Sequence, residues 1–487
     1  MKKVKFSFYN ELIPVEESNN YLLFNIINSG LEILDRTIGE LLNKLKEEKE
    51  FNLEAYPEHT EVLDYLYEHN YLVNSELDEK AKYQADYELN QKNKFRNSSQ
   101  IGLTIGTTII CNMGCPYCFE VDKPNKTLND KTVIKAITTY IESMIQKAPV
   151  KRWESFSVIW YGGEPLINKN AIEVLSQKLI KLAADYDIPY NASIITNGIL
   201  LDRDTWQLLK KNKVGNVQIT IDGAKEVHNK YRPLKNKNAL NYEKILENIS
   251  MMPEELSTTI RVNTDKLVAS TLPRMLDDLK KYGIWPQRYK NVSIQLAWLR
   301  SYEGADVSNI SGLTSDEYFD VEHSFSELQV QRFQEWASKN QINTPKLKWK
   351  LPKKQSDCAT YVSPYFFTFD PEGNIHKCWE TVHDSEQSSG TTVLKNWEPK
   401  DFDKYLSYSR TRVHPICYNC KFNPVCEGLS CAFDTLKGLE EEHFPCTAWK
   451  TKLPEYFKKM YLLKQESPDS VALLSPRRNK VQAHANR

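Results

Sequence analysis

The stretch CNMGCPYCFE (residues 111–120) carries Cys111, Cys115 and Cys118 in the spacing C-x3-C-x2-C. It directly follows IGLTIGTTII (101–110), whose β-branched residues predict a strand. Three thiolates from one short loop can each bind one iron of a 4Fe-4S cube, which leaves the fourth iron without a protein ligand. That iron is then available to a cofactor. A structural zinc site is the alternative, although such sites usually need four ligands in paired C-x2-C spacing.

Strand-like runs alternate with amphipathic stretches of helical length after this loop. The runs are 101–110, 156–160, 192–196, 216–221, 258–264 and 291–298, and the helical stretches are 128–147, 169–185, 203–211, 240–252 and 271–282. Such βα repeats predict an α/β fold with a parallel sheet. Right-handed crossovers would curl six strands into a partial (βα)6 barrel, with functional residues at the carboxyl ends of the strands. The cysteine loop lies at that edge.

The loop resembles the hallmark of the radical S-adenosylmethionine (SAM) superfamily, in which an aromatic residue precedes the third cysteine. Tyr117 holds that position and is predicted to face the nucleoside of SAM. The resemblance implies that Cys111, Cys115 and Cys118 are catalytic, because the open iron of that family binds the methionine end of SAM. Reductive cleavage then gives a 5′-deoxyadenosyl radical.

A second motif, YGGEP, directly follows the second predicted strand. Gly162 and Gly163 allow a tight turn and close approach to a ligand. The resemblance implies that Gly162, Gly163, Glu164 and Pro165 contact the amino group of SAM, with Glu164 as the principal residue. An isolated GGEP is more often a simple turn, but its place one strand after the cysteine loop favours cofactor binding.

Polar residues at the ends of the next strands complete the predicted SAM site. The resemblance implies contacts to ribose and carboxylate from Thr196, Asn197 and Thr220, whereas an Asp-Gly turn explains Asp222 equally well. Arg232 and Arg261 lie where related maturases often carry arginines. Either could bind the SAM carboxylate with both guanidinium nitrogens, and structural ion pairing is an equal alternative.

The other seven cysteines lie in the last 130 residues of the chain. Their pattern resembles the SPASM domain, which holds two auxiliary 4Fe-4S clusters, so the resemblance implies three clusters in total. It assigns Cys417, Cys420, Cys426 and Cys446 to an outer cluster, and Cys358, Cys378 and Cys431 to an inner one. Four residues separate Cys426 from Cys431, whereas the usual SPASM pattern has three at this place. The inner cluster then also has an iron without a cysteine, which a substrate cysteine, Asp357, His376 or water would bind.

One position separates this chain from the anaerobic sulfatase maturases, which share the SPASM pattern. They carry a basic aspartate immediately after the cysteine equivalent to Cys378, where this chain has Trp379 followed by Glu380. A formylglycine-forming role is therefore disfavoured. Glu380 is predicted as a general base one position along, because a carboxylate near clusters can have a shifted pKa, although its side chain would point elsewhere.

The first 96 residues predict a separate domain with an order of three strands followed by helices. This order resembles the winged-helix-like domain with which many maturases of ribosomal peptides bind a leader peptide as an added strand. Acidic residues outnumber basic ones nineteen to twelve, which argues against DNA binding. A simple N-terminal cap on the barrel is the alternative.

Composition limits the partners and the compartment. Lys plus Arg equals Asp plus Glu at 64 each, so no overall positive field favours nucleic acid or an anionic membrane. No stretch approaches the roughly 18 apolar residues of a membrane span. Residues 1–14 lack the apolar segment of an export signal, so we expect a cytoplasmic protein. Ten cysteines in such a chain favour metal or redox chemistry over disulfides.

Together these patterns predict five segments: 1–96 for leader recognition, 97–300 for the barrel, a helical connector 301–345, a SPASM domain 346–450, and a helix with a flexible tail 451–487. The predicted protein modifies a precursor peptide, receives electrons from a flavodoxin- or ferredoxin-type donor, and forms a thioether from a peptide cysteine. C–C or ether cross-linking and epimerisation are alternatives, although an epimerase typically needs a hydrogen-donor thiol and no cysteine remains for that role. A non-enzymatic alternative is an iron-sulfur electron carrier or a peptide-binding protein.

Overall fold

A computed structural model describes residues 3–120, 124–236, 241–299, 308, 310–358, 363–392, 408–431, 435, 446–468 and 471–473. The strands are β1 (Lys3–Phe6), β2 (Asn10–Val15), β3 (Asn20–Asn25), β4 (Gly30–Asp35), β5 (Phe51–Asn52), β6 (Leu72–Asn74), β7 (Gln100–Thr108), β8 (Ser155–Gly162), β9 (Tyr190–Thr196), β10 (Val214–Thr220), β11 (Ser257–Thr264), β12 (Val292–Trp298), β13 (Leu347–Trp349), β14 (Phe366–Phe369), β15 (Asn374–His376), β16 (Gly390–Thr391) and β17 (Val471–Leu473).

The helices are α1 (Arg36–Leu45), α2 (Thr60–Glu68), α3 (Glu79–Arg96), α4 (Lys131–Lys147), α5 (Lys169–Asp185), α6 (Arg203–Lys211), α7 (Lys225–Tyr231), α8 (Tyr242–Ser250), α9 (Lys266–Ala269), α10 (Leu272–Lys281), α11 (Ser315–Asn340), α12 (Pro415–Tyr418) and α13 (Trp449–Glu466). Within the described residues, no helix combines the length and apolar character that crossing a membrane requires. The chain divides into two compact units, residues 1–93, 341–358 and 408–487, and residues 94–340 and 359–407.

The second unit contains the predicted barrel sheet. Strands β7 to β12 lie side by side in chain order, and every neighbouring pair is parallel. All residues of β7 after Gln100 are buried, as expected for a strand covered on both faces. The prediction of six parallel strands connected by helices is therefore confirmed. The sheet continues beyond β7 through β14, β15 and β16, which the sequence analysis did not predict.

The helices of this unit begin at polar caps that the sequence supplies. Asp130 accepts a hydrogen bond from Thr132 N at the start of α4, Asn168 caps α5, and Asp202 caps α6. Each cap satisfies one of the backbone N–H groups that a helix leaves without an internal acceptor. The bounds of α5 and α6 are those predicted, whereas α7 and α9 were missed because each spans fewer than eight residues.

The first unit contains two small antiparallel sheets, with strand orders β2-β3-β4 and β5-β1-β6. Leu23, Leu42, Leu63 and Leu66 belong to the core that joins these strands to α1 and α2. Strand β2 and the 18-residue helix α3 were not predicted.

Helix α13, of the same unit, packs against β3 and β13. The ring of Phe457 lies 5.1 Å from that of Phe24 and 5.8 Å from that of Trp349.

Two segments differ from expectation or lie outside the description. Val471–Leu473, in the predicted flexible tail, forms β17 and pairs in parallel with β13. Val471 is buried, and its apolar side chain explains the docking. The rest of the tail after residue 473 lies outside the described residues. So do residue 300 at the end of the predicted barrel segment and residues 301–307 and 309 of the predicted connector, whose described part contains α11.

Candidate active site

The cysteine loop begins three residues after the last residue of β7 and opens into a cavity of about 270 Å³ at the carboxyl edge of the sheet. Cys111, Cys115 and Cys118 all line this cavity. Met113 N donates a hydrogen bond to Cys111 Sγ at 3.4 Å, and Cys118 N donates to Cys115 O at 3.2 Å. The loop backbone thereby turns the three thiols toward one space.

This donor set fits a 4Fe-4S cluster. Among the described residues, no three His, Cys, Asp or Glu side chains are grouped closely enough to hold a single metal ion. A cube does not require such convergence, because each thiolate binds a different iron. Cys111, Cys115 and Cys118 would hold the cluster, which would supply one iron without a protein ligand for a cofactor.

The two glycines of YGGEP allow the end of β8 to pack against the chain that leads into the cysteine loop. Gly162 has φ 124°, and a Cβ there would lie 2.1 Å from Thr108 O. A Cβ on Gly163 would lie 2.3 Å from Ile109 O. Both glycines line the cavity, so substitution at either position would displace the backbone beside the thiols.

Glu164 lies behind this wall, with none of its surface exposed. Its carboxylate accepts hydrogen bonds from Leu166 N at 3.0 Å, Thr196 Oγ1 at 2.7 Å and Asn197 N at 2.8 Å. Burial raises the pKa of Glu164, and the bonds from Asn197, Thr196 and Leu166 oppose that rise. Pro165, also buried, begins the turn that follows. Glu164 thus ties the end of β8 to the end of β9.

The ends of β9 and β10 supply polar groups to the cavity. Thr196, Asn197 and Thr220 all line it, as the sequence analysis predicted for the carboxyl edge, and Gln218 joins them. Asn197 Nδ2 donates to Asn112 Oδ1 at 2.6 Å and lies 3.9 Å from Cys111 Sγ. The β9 end therefore positions the first cysteine of the loop.

Tyr117 lines the cavity with its hydroxyl held in a buried network. The hydroxyl donates to the carboxylate of Asp222 and accepts from Arg232 Nη1 at 2.6 Å. Asp222 also accepts from Asn263 N at 2.9 Å. Burial raises the pKa of Asp222, which the Arg232 guanidinium opposes. Asp222 therefore does more than form a turn; sequence alone left that choice open because its partners lie on three other segments.

The two arginines occupy different environments in the cavity wall. Arg232 is 9% exposed and lies with Nη1 3.7 Å from Asp222 Oδ2, so structural ion pairing describes it well. Arg261 is exposed, and its Nε donates to Asn263 Oδ1 at 3.1 Å on the same strand. Since both line the cavity, Arg261 is the better placed of the two to meet a carboxylate that enters from solvent.

Aromatic side chains form a further part of the cavity wall. Trp379 stacks on Tyr161 with ring centroids 5.7 Å apart and an interplanar angle of 21°. Phe119 and Trp298 also line the cavity, and the sequence analysis missed both because neither lies in a recognisable motif. Glu380 lines the cavity too, contrary to the expectation that its side chain would point elsewhere.

The sequence profile of the radical SAM superfamily matches residues 105–264, from within β7 to the end of β11. The chain contains a radical SAM domain. This domain includes the cysteine loop, YGGEP and the ends of β9 and β10.

Two curated relatives extend the comparison. The chain is similar to the radical SAM cyclopropyl synthase TigE of Paramaledivibacter caminithermalis, with 28% identity over 233 residues, covering 44% of this chain and 48% of that protein. It is also similar to the cysteine-type anaerobic sulfatase-maturating enzyme of Clostridium novyi, with 27% identity over 173 residues, covering 35% and 44% of the two chains. The chain spans about half the length of the curated relatives it matches.

A solved structure supports the fold assignment. Native anSMEcpe with bound AdoMet and the Kp18Cys peptide aligns with a TM-score of 0.51 and 17% identity, covering 76% of this chain and 99% of that chain. At this identity the likeness establishes the fold alone. It confirms the α/β radical SAM fold predicted from the alternation of strands and helices.

The late cysteines are divided between the two units. Cys378 belongs to the second unit, and the remaining six to the first. Burial raises the pKa of Cys417 to about 11, and the neighbouring thiols of Cys426, Cys420 and Cys446 add to the rise. Four grouped thiols are a donor set that fits the predicted outer cluster.

Proposed function

We propose that this protein is a radical SAM enzyme that modifies a ribosomally synthesised precursor peptide, forming a thioether from a peptide cysteine. The observation that carries the proposal is the single cavity shared by the three loop thiols, the two glycines of YGGEP and the polar ends of β9 and β10. The similarity to TigE and to a sulfatase-maturating enzyme supports radical chemistry at this site.

When bound, the cluster and SAM would supply a 5′-deoxyadenosyl radical that removes one hydrogen atom from a substrate carbon. The residues of the chain bind and orient these groups. Cys111, Cys115 and Cys118 hold the cluster, while Thr196, Asn197, Thr220 and Arg261 offer polar contacts to SAM. Glu164 and Asp222 act from behind the wall, by fixing the strand ends and Tyr117.

The aromatic wall supports a reaction other than formylglycine formation. Trp379 places a stacked ring where sulfatase maturases carry an aspartate, so no carboxylate stands at that position. Glu380, which lines the cavity one residue later, is proposed as the base that takes a proton from the substrate. The rings around it would exclude water from a reactive carbon radical.

We further propose two auxiliary clusters, so that the ten cysteines divide as three, three and four. Cys417, Cys420, Cys426 and Cys446 would hold the outer cluster, and Cys358, Cys378 and Cys431 the inner one. The carboxylate of Asp357 accepts hydrogen bonds from Arg410, Tyr87 and Gln91, which makes it a poor candidate for the open iron. This supports a substrate thiolate at that iron, because thiolates are good ligands for iron. The auxiliary clusters would accept the second electron.

The N-terminal segment is proposed to bind the leader of the precursor. Strand β4 is an edge of the sheet β2-β3-β4, and Ile33 on it is 55% exposed. Tyr65 of α2 is 41% exposed and donates its hydroxyl hydrogen bond to Glu32 at 2.9 Å. An extended peptide added along β4 would gain main-chain hydrogen bonds and cover both apolar side chains.

The five predicted segments remain our proposed domain organisation: 1–96, 97–300, 301–345, 346–450 and 451–487. A flavodoxin- or ferredoxin-type protein is proposed as the electron donor, with the cytoplasm as the compartment. Neither nucleic acid nor a membrane is a proposed partner.

The test is anaerobic co-expression with the precursor peptide encoded beside this gene, followed by mass spectrometry, with Cys115→Ala as the control. A thioether removes two hydrogens, one from the thiol and one from carbon, at a cysteine that no longer alkylates. Loss of two hydrogens at positions without cysteine would mean C–C or ether linkage. Unchanged mass with deuterium uptake from heavy water would mean epimerisation. Absence of SAM cleavage by fully loaded protein would favour an electron carrier or a peptide-binding protein.

A further inference from the structure

Arg410 is a buried arginine of the first unit, on a segment that lies among the predicted cluster cysteines. Its side chain and that of Asp357 are each 1% exposed, and they form an ion pair. Arg410 Nε donates to Asp357 Oδ1 at 2.9 Å, and Nη2 lies 2.9 Å from the same oxygen. The other carboxylate oxygen accepts from Tyr87 and Gln91 of α3. Four donor groups on one carboxylate make Asp357 immobile.

Arg410 also donates to two further segments that carry predicted cluster ligands. Nη1 donates to Asn423 O at 3.1 Å, and Nη2 donates to Ser430 Oγ at 3.2 Å. Asn423 lies between Cys420 and Cys426, and Ser430 directly precedes Cys431. One guanidinium thus connects three stretches of chain.

Backbone contacts strengthen the same arrangement. Cys358 N donates to Ser430 O at 3.0 Å, which joins the residues next to Asp357 and Cys431. Asn423 Nδ2 donates both to Arg410 O and to Cys417 O, each at 3.0 Å. Cysteine-bearing segments that are distant in sequence are therefore joined by hydrogen bonds of the protein chain itself.

From this geometry we propose that Arg410, with Asp357, is a positioning residue for the auxiliary iron-sulfur centre: it preorganises the segments of Cys358 and Cys431 and sets the electrostatic environment of the cluster they bind. The inference rests on the proposed function, because it assumes that auxiliary clusters form. A buried charge interacts strongly in a low-dielectric interior, and the reduction potential of a cluster depends on nearby charge and hydrogen bonds. Arg410 and Asp357 therefore act on the potential in opposite directions.

The experiment uses full-length protein with Cys115→Ala, reconstituted anaerobically, so that the auxiliary clusters dominate the spectrum. Arg410→Gln removes the positive charge and Asp357→Asn the negative one. We expect the midpoint potential, followed by electron paramagnetic resonance, to fall in Arg410→Gln and to rise in Asp357→Asn. Arg410→Lys keeps the charge but loses the planar fork, so its potential should stay near the parent value while its iron is lost faster to a chelator.

Arg412 provides the matched control. It lies two residues along the chain, is 66% exposed, and pairs with Glu88 of α3 at 2.6 Å. Arg412→Gln should change neither the potential nor iron retention, because an exposed pair is screened by water.

Three results would overturn the proposal: potentials of Arg410→Gln and Asp357→Asn that move in the same direction, potentials that do not move, or an equal shift in Arg412→Gln. If Arg410→Gln does not fold, the other two variants still test the proposal. Asp357→Asn should raise the midpoint potential, and Arg410→Lys should lose iron faster to the chelator; absence of both effects would overturn the proposal. Failure of the proposed function is distinguishable: a Cys115→Ala parent that binds no iron would mean that no auxiliary clusters form, whereas failure of thioether formation is detected separately by the peptide mass measurement and leaves these potentials unchanged.

Discussion

Replacing Glu164 by glutamine tests whether this carboxylate acts on SAM directly or through the strand ends. Its two oxygens accept from two backbone N–H groups, of Leu166 and Asn197, and from the hydroxyl of Thr196. The hydroxyl can turn and accept from an amide, but the N–H groups cannot. Whichever way the new amide faces, its NH2 meets one buried N–H, and an unsatisfied buried donor costs about 1–3 kcal/mol.

We therefore expect Glu164→Gln to lower the free energy of unfolding by about 1–3 kcal/mol before any SAM is added. The assay is urea denaturation of cluster-loaded protein under anaerobic conditions. The urea midpoint is converted to a free energy of unfolding by multiplying it by the denaturant slope. Thr196→Val leaves both N–H bonds to Glu164 in place but removes the acceptor of Gly198 N, so its cost should likewise be about 1–3 kcal/mol. Glu380→Gln serves as the control, because Glu380 is a cavity-lining glutamate outside this network.

The affinity for SAM, measured by calorimetry on the same samples, completes the test. A positioning role predicts that stability falls and that SAM binds more weakly as a consequence of the displaced β9 end. An unchanged urea midpoint together with lost SAM affinity would refute the reasoning, since it would mean that the carboxylate contacts SAM and contributes little to the SAM-free fold.

Three further outcomes are expected. Cys115→Ala should abolish cleavage of SAM to 5′-deoxyadenosine while iron bound by the late cysteines is retained; iron analysis and chromatography check this, and persisting cleavage would contradict the cluster assignment. Trp379→Ala should reduce peptide modification more than SAM cleavage, because it removes the ring stacked on Tyr161; equal losses of both activities would argue against a substrate-facing wall. Burial lowers the pKa of His228 to about 3, whereas its pKa in the unfolded chain is near 6.5. The neutral imidazole therefore stabilises the fold fully above pH 6.5, and this stability is lost as the pH falls below that value. The free energy of unfolding should fall by roughly 1.4 kcal/mol per pH unit below about pH 6.5. In acid denaturation, His228→Gln should reduce this slope, because glutamine can still accept the hydrogen bond from Asp222 N but does not titrate. An equally steep slope in the variant would mean that another group is responsible for the titration.

The radical SAM fold was predictable because its signals are local. Buried parallel strands require apolar runs, and helices that cover them require an amphipathic period, so the alternation along 101–298 indicates the sheet. Short helices such as α7 and the additional strands β14 to β16 carry too few residues for a periodic signal. Strand β17 was missed for the same reason, and its pairing with β13 depends on residues more than a hundred positions away.

Within the site, the sequence by itself determined the residues that act through their own chemistry. Cysteines in C-x3-C-x2-C spacing and paired glycines after a strand are recognisable because each requirement is met by neighbours in the chain. The cavity contains the predicted loop cysteines, both glycines and the polar residues at the strand ends.

Only the tertiary structure decided which of these side chains face the cavity and which support it. Glu164 and Asp222 are both acidic residues at strand ends, yet each is fully buried by partners from other segments. Arg410 likewise gives no sequence signal, and its contacts with Asp357, Asn423 and Ser430 arise only when three separated stretches meet. The physical reason is that burial and hydrogen bonding are properties of what surrounds a residue, and for these residues the surroundings are distant in sequence.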